Sequence, residues 1–124
     1  MTTRTSSAAM ATAMAYHKAW TAKDIDGAMA HIADNVICDA PGGRIAGREA
    51  YRAFLAGFAQ QVTSADMIEA FGDDESAVLL YDPHTALVES APTAEHFQVA
   101  GGKIVRSRLI FDRAPFIAAR SATS

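Results

Sequence analysis

GREAYRAFLAGFAQQVTSADMIEAFG, residues Gly47 to Gly72, changes rhythm at its middle. Up to Gln61 the apolar residues Tyr51, Phe54, Leu55 and Phe58 recur at the three- and four-residue steps of one helix face. Beyond Gln61 the period drops to two and no further helix is indicated. Strands are expected at Ala65–Phe71, Ser76–Asp82, Thr85–Glu89, Thr93–Val99 and Lys103–Phe111, with turns at Gly72-Asp73-Asp74 and Gly101-Gly102. Upstream, Ala9, Ala13, Tyr16 and Trp20 put a helix over Ser6–Ala22, and Met10, Met14 and His17 on an adjoining stripe suggest that it is gripped from more than one side. Asp24 reads as the N-cap of a short second helix that buries Ile25, Ala28, Met29 and Ile32 and stops near Asn35. Val36–Ala40 is β-like, Pro41-Gly42-Gly43 turns the chain into a short strand at Arg44–Ala46, and Gly47 opens the third helix. Helices first and a strand meander after make an α+β domain over residues 6–118, with flexible ends at 1–5 and 119–124.

With half its 124 residues apolar and a fifth charged, the chain is expected to be water-soluble and to need neither disulfide nor metal to fold. A net charge of −3 with both signs interspersed offers no field for nucleic acid. No apolar run reaches membrane-spanning length and no signal peptide is visible, so a cytoplasmic location is expected. Cys38 is the single cysteine and has no partner for a disulfide or a CxxC site. Four scattered histidines without HxH or HExxH spacing predict no metal site. The absence of GxGxxG, a Walker loop and a Ser or Cys nucleophile motif predicts neither nucleotide cofactor nor acyl-enzyme.

The run YHKAWTAKDIDGAMAHIADNVICDAPGGRIAGREAYRAFL, Tyr16 to Leu55, resembles the opening of SnoaL-like proteins of the nuclear transport factor 2-like superfamily. AEHFQVAGGKIVRSRLIFD, Ala94 to Asp112, is similar to their closing hairpin. The resemblance implies a cone-shaped α+β barrel: three N-terminal helices on a strongly curved, mainly antiparallel sheet that encloses an apolar pocket. It implies a homodimer through the outer sheet face, and no cofactor. The superfamily includes ketosteroid isomerases, limonene-type epoxide hydrolases, polyketide cyclases, dehydratases and proteins that only bind, so fold alone does not name the function.

Several candidates carry this further. Tyr16 matches the isomerase tyrosine that donates to an enolate oxygen, a role suited to a phenol in an apolar pocket. The isomerase base position, directly before the proline, is Ala40 here; Asp39 sits one residue earlier, on the opposite strand face unless a bulge turns it inward. The second oxyanion donor aligns with Glu95, which shares a face with Phe97 and Val99. If that face points inward, burial raises the Glu95 pKa; if the other does, His96 and Gln98 line the pocket. Asp82 and His84 lie two apart and could form an acid–base pair, although Asp-Pro-His is also an ordinary turn. Asp112 closes the LIFD run where cyclase and epoxide hydrolase relatives carry a key acid, or else caps the turn into Arg113-Ala114-Pro115. Ile110 shares its face with Asp112, Arg106 and Arg108, while Leu109 and Phe111 share the other. The expected catalytic group is therefore Asp112, Asp82, His84 and Tyr16, with Trp20, Asp39, Phe54, Phe58, Glu95 and Phe97 binding a small apolar molecule. A binding protein that has lost the chemistry is the alternative, favoured by Ala40.

Overall fold

A computed structural model describes residues 7–123. The order is α1 (Ala8–Thr21), α2 (Ile25–Met29), β1 (Ile32–Ala40), β2 (Gly43–Ala46), α3 (Arg48–Gln61), β3 (Val62–Gly72), β4 (Ser76–Thr85), β5 (Thr93–Ala100), β6 (Lys103–Ile110) and α4 (Ala114–Thr123). The six strands form one curved, unclosed sheet in the order β2-β1-β6-β5-β4-β3. Every pairing is antiparallel except β1 with β6, which is parallel. Both α1 and α3 lie on the concave face, α1 across β3, β4 and β5 and α3 against β1 and β2. No helix among the described residues is long and apolar enough to cross a membrane.

The helical period of α1 buries Ala9, Ala13, Tyr16, His17 and Trp20, and α3 buries Tyr51, Leu55 and Ala59. Between them the sheet supplies Val36, Cys38, Leu79, Tyr81, Phe97 and Ile104 to one continuous core. Asp24 caps α2 by accepting the Gly27 N–H at 2.9 Å. A Cβ at Gly27 would lie 2.2 Å from that carboxylate, so the cap and the glycine go together. Lys23, in the left-handed region at φ 70°, donates its Nζ to the Ala59 and Val62 carbonyls and ties the end of α1 to the end of α3. Gly101 and Gly102, at φ 59° and 76°, supply the two positive values that a two-residue hairpin between β5 and β6 requires.

Four local expectations need correction. The second helix stops at Met29 rather than near Asn35, and β1 takes Ile32 because the Ile104 N–H donates to the His31 carbonyl there. The third strand starts at Val62, directly after α3. No strand forms over Thr85–Glu89; β4 continues through Pro83 to Thr85, and a bend follows in which the Thr85 hydroxyl donates to the Val88 carbonyl and accepts the Val88 N–H. Pairing of β4 with β5 ends at Tyr81–Thr93, so at Pro83 the strand has a neighbour on one side only, where a missing N–H is tolerated. A helix does follow Gln61, α4 over Ala114–Thr123, whereas residues 1–5 and the Ser6 helix start lie outside the described residues.

Candidate functional site

The concave face leaves a cavity of about 60 Å³ between helices and sheet. Tyr16 and Trp20 reach it from α1, Phe54, Leu55 and Phe58 from α3, Tyr81 and Pro83 from β4, Thr93 and Glu95 from β5, and Leu109, Phe111 and Phe116 from the C-terminal end. Period two explains the sheet's share: Leu79, Tyr81 and Pro83 alternate inward along β4, and Glu95 and Phe97 along β5.

Glu95 is 2% exposed. Its Oε1 accepts the Tyr81 O–H at 2.9 Å and its Oε2 the Ser107 O–H at 3.2 Å. Burial pushes its carboxyl up to about 7, and the two hydrogen bonds pull the other way. Across the cavity the Tyr16 and Tyr51 hydroxyls share a hydrogen bond. Burial holds Tyr16, Tyr51 and Tyr81 well above the usual phenol value, so all three are donors at neutral pH. Behind them His17 packs edge-on against Trp20 and Tyr81, and desolvation lowers its pKa to about 4, leaving it neutral. Cys38 is buried too, and desolvation lifts its thiol to about 11, far from a reactive thiolate. No cluster of three metal-ligating side chains occurs among the described residues.

Of the expected site residues, Tyr16, Trp20, Phe54, Phe58 and Glu95 meet at this cavity. Phe97 is fully buried one layer deeper, edge-on to Tyr16 at 5.6 Å. The expected convergence of Asp112, Asp82 and His84 on the pocket is not what the structure shows. Asp82 faces the outer side, where its carboxylate accepts the Ser90 O–H and the Ala91 N–H, both at 2.7 Å; the Ser90 bond leads in lowering its pKa. His84 places Nδ1 2.6 Å from the Glu89 carbonyl and Nε2 2.8 Å from Asp66, whose carboxylate is the main cause of its raised pKa. The two side chains therefore brace the bend that replaces the expected strand. Asp39 also lies on the outer face, gripped by Arg44 at 2.7 Å, Arg106 at 3.0 Å and Arg108 at 3.4 Å. Hydrogen bonds from Arg44 and then Arg106 hold its carboxyl down at about 2.

Asp112 is exposed, and its Oδ1 accepts the Ala114 N–H at 2.9 Å in an Asx turn leading into α4. Leu109 and Phe111 take the inward face, which sends Ile110 and Asp112 outward. Asp112→Ala is expected to speed amide exchange over residues 114–118, measurable by NMR.

Sequence reasoning did not place Tyr81, Thr93, Ser107, Leu109, Phe111 and Phe116 at the site. The signal for three of them was present: stepping by two from Glu95 fixes the inward face of β5, and register then sets Leu109 opposite Glu95 and Ser107 opposite Phe97. No local pattern points to Phe116, which arrives from a helix beyond the sheet.

A family model described as a SnoaL-like domain matches residues 13–107. A crystal structure of a protein from Kribbella flavida is 48% identical, covers 94% of this chain and 97% of that one, and superposes with a TM-score of 0.93. An NTF2-like protein of unknown function from Burkholderia xenovorans is 22% identical over 89% of this chain and 86% of its own, with a TM-score of 0.77. A second Kribbella flavida protein, provisionally described as a ketosteroid isomerase, is 20% identical over 86% of this chain and 79% of its own, with a TM-score of 0.74. The last two likenesses establish the fold, which is NTF2-like, and nothing further. No curated protein matches the chain.

Proposed function

This chain belongs to the SnoaL-like domain family, and from that premise we propose that it binds a small, mostly apolar molecule and exchanges a proton with it through Glu95. The observation that carries the reading is one carboxyl, 2% exposed, on the wall of an otherwise apolar cavity. A group whose pKa stands near 7 is matched to giving and taking protons at neutral pH. Tyr16 lines the same cavity and donates to oxygen charge that develops on the ligand. Deuterium uptake from solvent into small enolisable ketones, followed by NMR, tests the reading. The wild-type protein is expected to accelerate exchange and Glu95→Gln to reduce it to the uncatalysed rate; equal rates for the two proteins overturn the assignment of Glu95.

A second reading, a pocket that binds without chemistry, has its own support. Ala40 occupies the isomerase base position, and none of Asp82, His84 and Asp112 lines the cavity. Binding of the same ketones without accelerated exchange selects it.

The chain is expected to pair as a homodimer through the outer sheet face. Phe71 opposite Val78, and Leu80 opposite Ala94 opposite Ile110, form an apolar patch there, with Phe71 55% and Ile110 58% exposed. Arg106 and Arg108 border it on the β6 side and Asp66 and Glu69 on the β3 side, so a two-fold axis running along the strands sets opposite charges against each other. Sedimentation at tens of micromolar is expected to give a dimer for the wild type and a monomer for Ile110→Asp; a wild-type monomer rejects this part. The buried free thiol of Cys38 suits a reducing, cytoplasmic setting.

A further inference from the structure

Three buried side-chain polar atoms lack a hydrogen-bond partner among the described residues: Ser7 Oγ, His17 Nδ1 and Trp20 Nε1. Of the three residues, only Trp20 lines the cavity. An indole N–H is a donor and nothing else, and an unpaired donor out of water is costly to leave unmet. Trp20 is 1% exposed and clamped by Phe58 at 5.5 Å, Tyr81 at 5.9 Å and His17 at 5.3 Å between ring centroids, so the indole has little freedom to swing toward solvent. Aromatic rings surround it, and no acceptor among the described residues comes within hydrogen-bond distance of its N–H.

We infer that Trp20 is a recognition residue of the cavity, its indole N–H donating to an acceptor oxygen on a neutral, single-ring ligand. This rests on the reading of the cavity as a ligand site and narrows what enters it. Neutrality follows from the wall: among the described residues no lysine, arginine or histidine lines the cavity to hold an anion, and a cation would give up its hydration for a single carboxyl whose oxygens already accept the Tyr81 and Ser107 hydroxyls. Size follows from the volume, since about 60 Å³ corresponds to roughly four waters at ~15 Å³ each, the displacement of one small ring. The acceptor follows from Trp20, because a ligand that cannot replace the hydrogen bond water gives this N–H loses affinity on entering.

The chain contains a single tryptophan, so its indole N–H gives one resolved proton–nitrogen cross-peak and its fluorescence reports one place. The probes are cyclopentanone and methylcyclopentane, rings of like size with and without an acceptor. Both are expected to change Trp20 fluorescence, and only cyclopentanone to move the indole proton downfield. In Trp20→Phe, which keeps an aromatic wall and loses the donor, cyclopentanone affinity measured by ligand-observed NMR is expected to fall roughly tenfold, with methylcyclopentane affinity little changed. If both rings bind and the indole proton stays put with cyclopentanone, or if Trp20→Phe weakens the two rings equally, the role of Trp20 is overturned while the ligand site stands. If neither ring perturbs Trp20 at millimolar concentration, the site itself is rejected and the inference with it. The wild-type resonance decides the matter even where the Phe variant folds poorly.

Discussion

Glu95→Gln is expected to convert a nearly level stability profile between pH 4.5 and 6.5 into one that falls by up to about 3 kcal/mol as pH drops toward 4. Two buried groups oppose each other in the wild type. Glu95 titrates near 7 in the folded chain and near 4.5 when unfolded, so between those values the native state holds more protons and stability is lost as pH rises. His17 titrates near 4 when folded and near 6.5 when unfolded, so its contribution is full above 6.5 and is lost as pH falls. At about 1.4 kcal/mol for each pH unit between the two values, each group contributes up to about 3 kcal/mol, and in the shared window the two slopes cancel. Removing the carboxyl unmasks His17. Above pH 7 the same variant is expected to exceed the wild type in stability by up to about 3 kcal/mol, because an uncharged amide replaces a desolvated carboxylate. Urea unfolding at half-unit pH steps measures both limbs. Parallel wild-type and variant curves would show that Glu95 is not held near neutrality by burial.

Phe97→Ala is expected to cost about 3–5 kcal/mol, the range for emptying a large aromatic from a closed core. Phe97 is fully buried, sits opposite Ala77 on one neighbouring strand and Ser107 on the other, and supports the Tyr16 ring from behind. Its neighbours are held by the sheet ladder and cannot collapse into the space it leaves. A loss under about 1.5 kcal/mol in urea unfolding would mean that the layer beneath the cavity is loosely packed.

Periodicity carried most of the fold and part of the site. The change of rhythm at Gln61 divides helices from sheet, and the alternation of Glu95 with Phe97 picks the inward face of β5. Tyr16 and Trp20 were legible because four residues on a helix return to the same face. Asp82, His84 and Asp112 were not, because their partners are set by chain geometry beyond a strand's period. Asp82 and His84 reach Ser90 and Glu89 only once the chain bends back after Thr85, and Asp112 falls on the outward step after Phe111. Asp39 was ambiguous in the same way until its register against Arg44 and Arg108 put it outside. The short α2 misled for a different reason: Ile32 fits a helical stripe, yet its backbone position is claimed by β6.

The parallel pairing of β1 with β6 also sets a timetable for the chain as it is made. Arg44 reaches Asp39 from five residues on, but the grip from β6 waits for Arg106 and Arg108, 67 and 69 residues later. At roughly 5–20 residues per second, that is an interval of about 3 to 14 s of synthesis. Throughout it, Val36 and Cys38 have no β6 beside them, and α3 covers a sheet whose middle has not yet been made. Closing so distant a pair is also the slow kind of step in refolding, since the loop must be ordered before its contacts repay it. The hairpin of β5 and β6, turned by two glycines, is the last piece of sheet to emerge, and its arrival joins the two halves of the molecule.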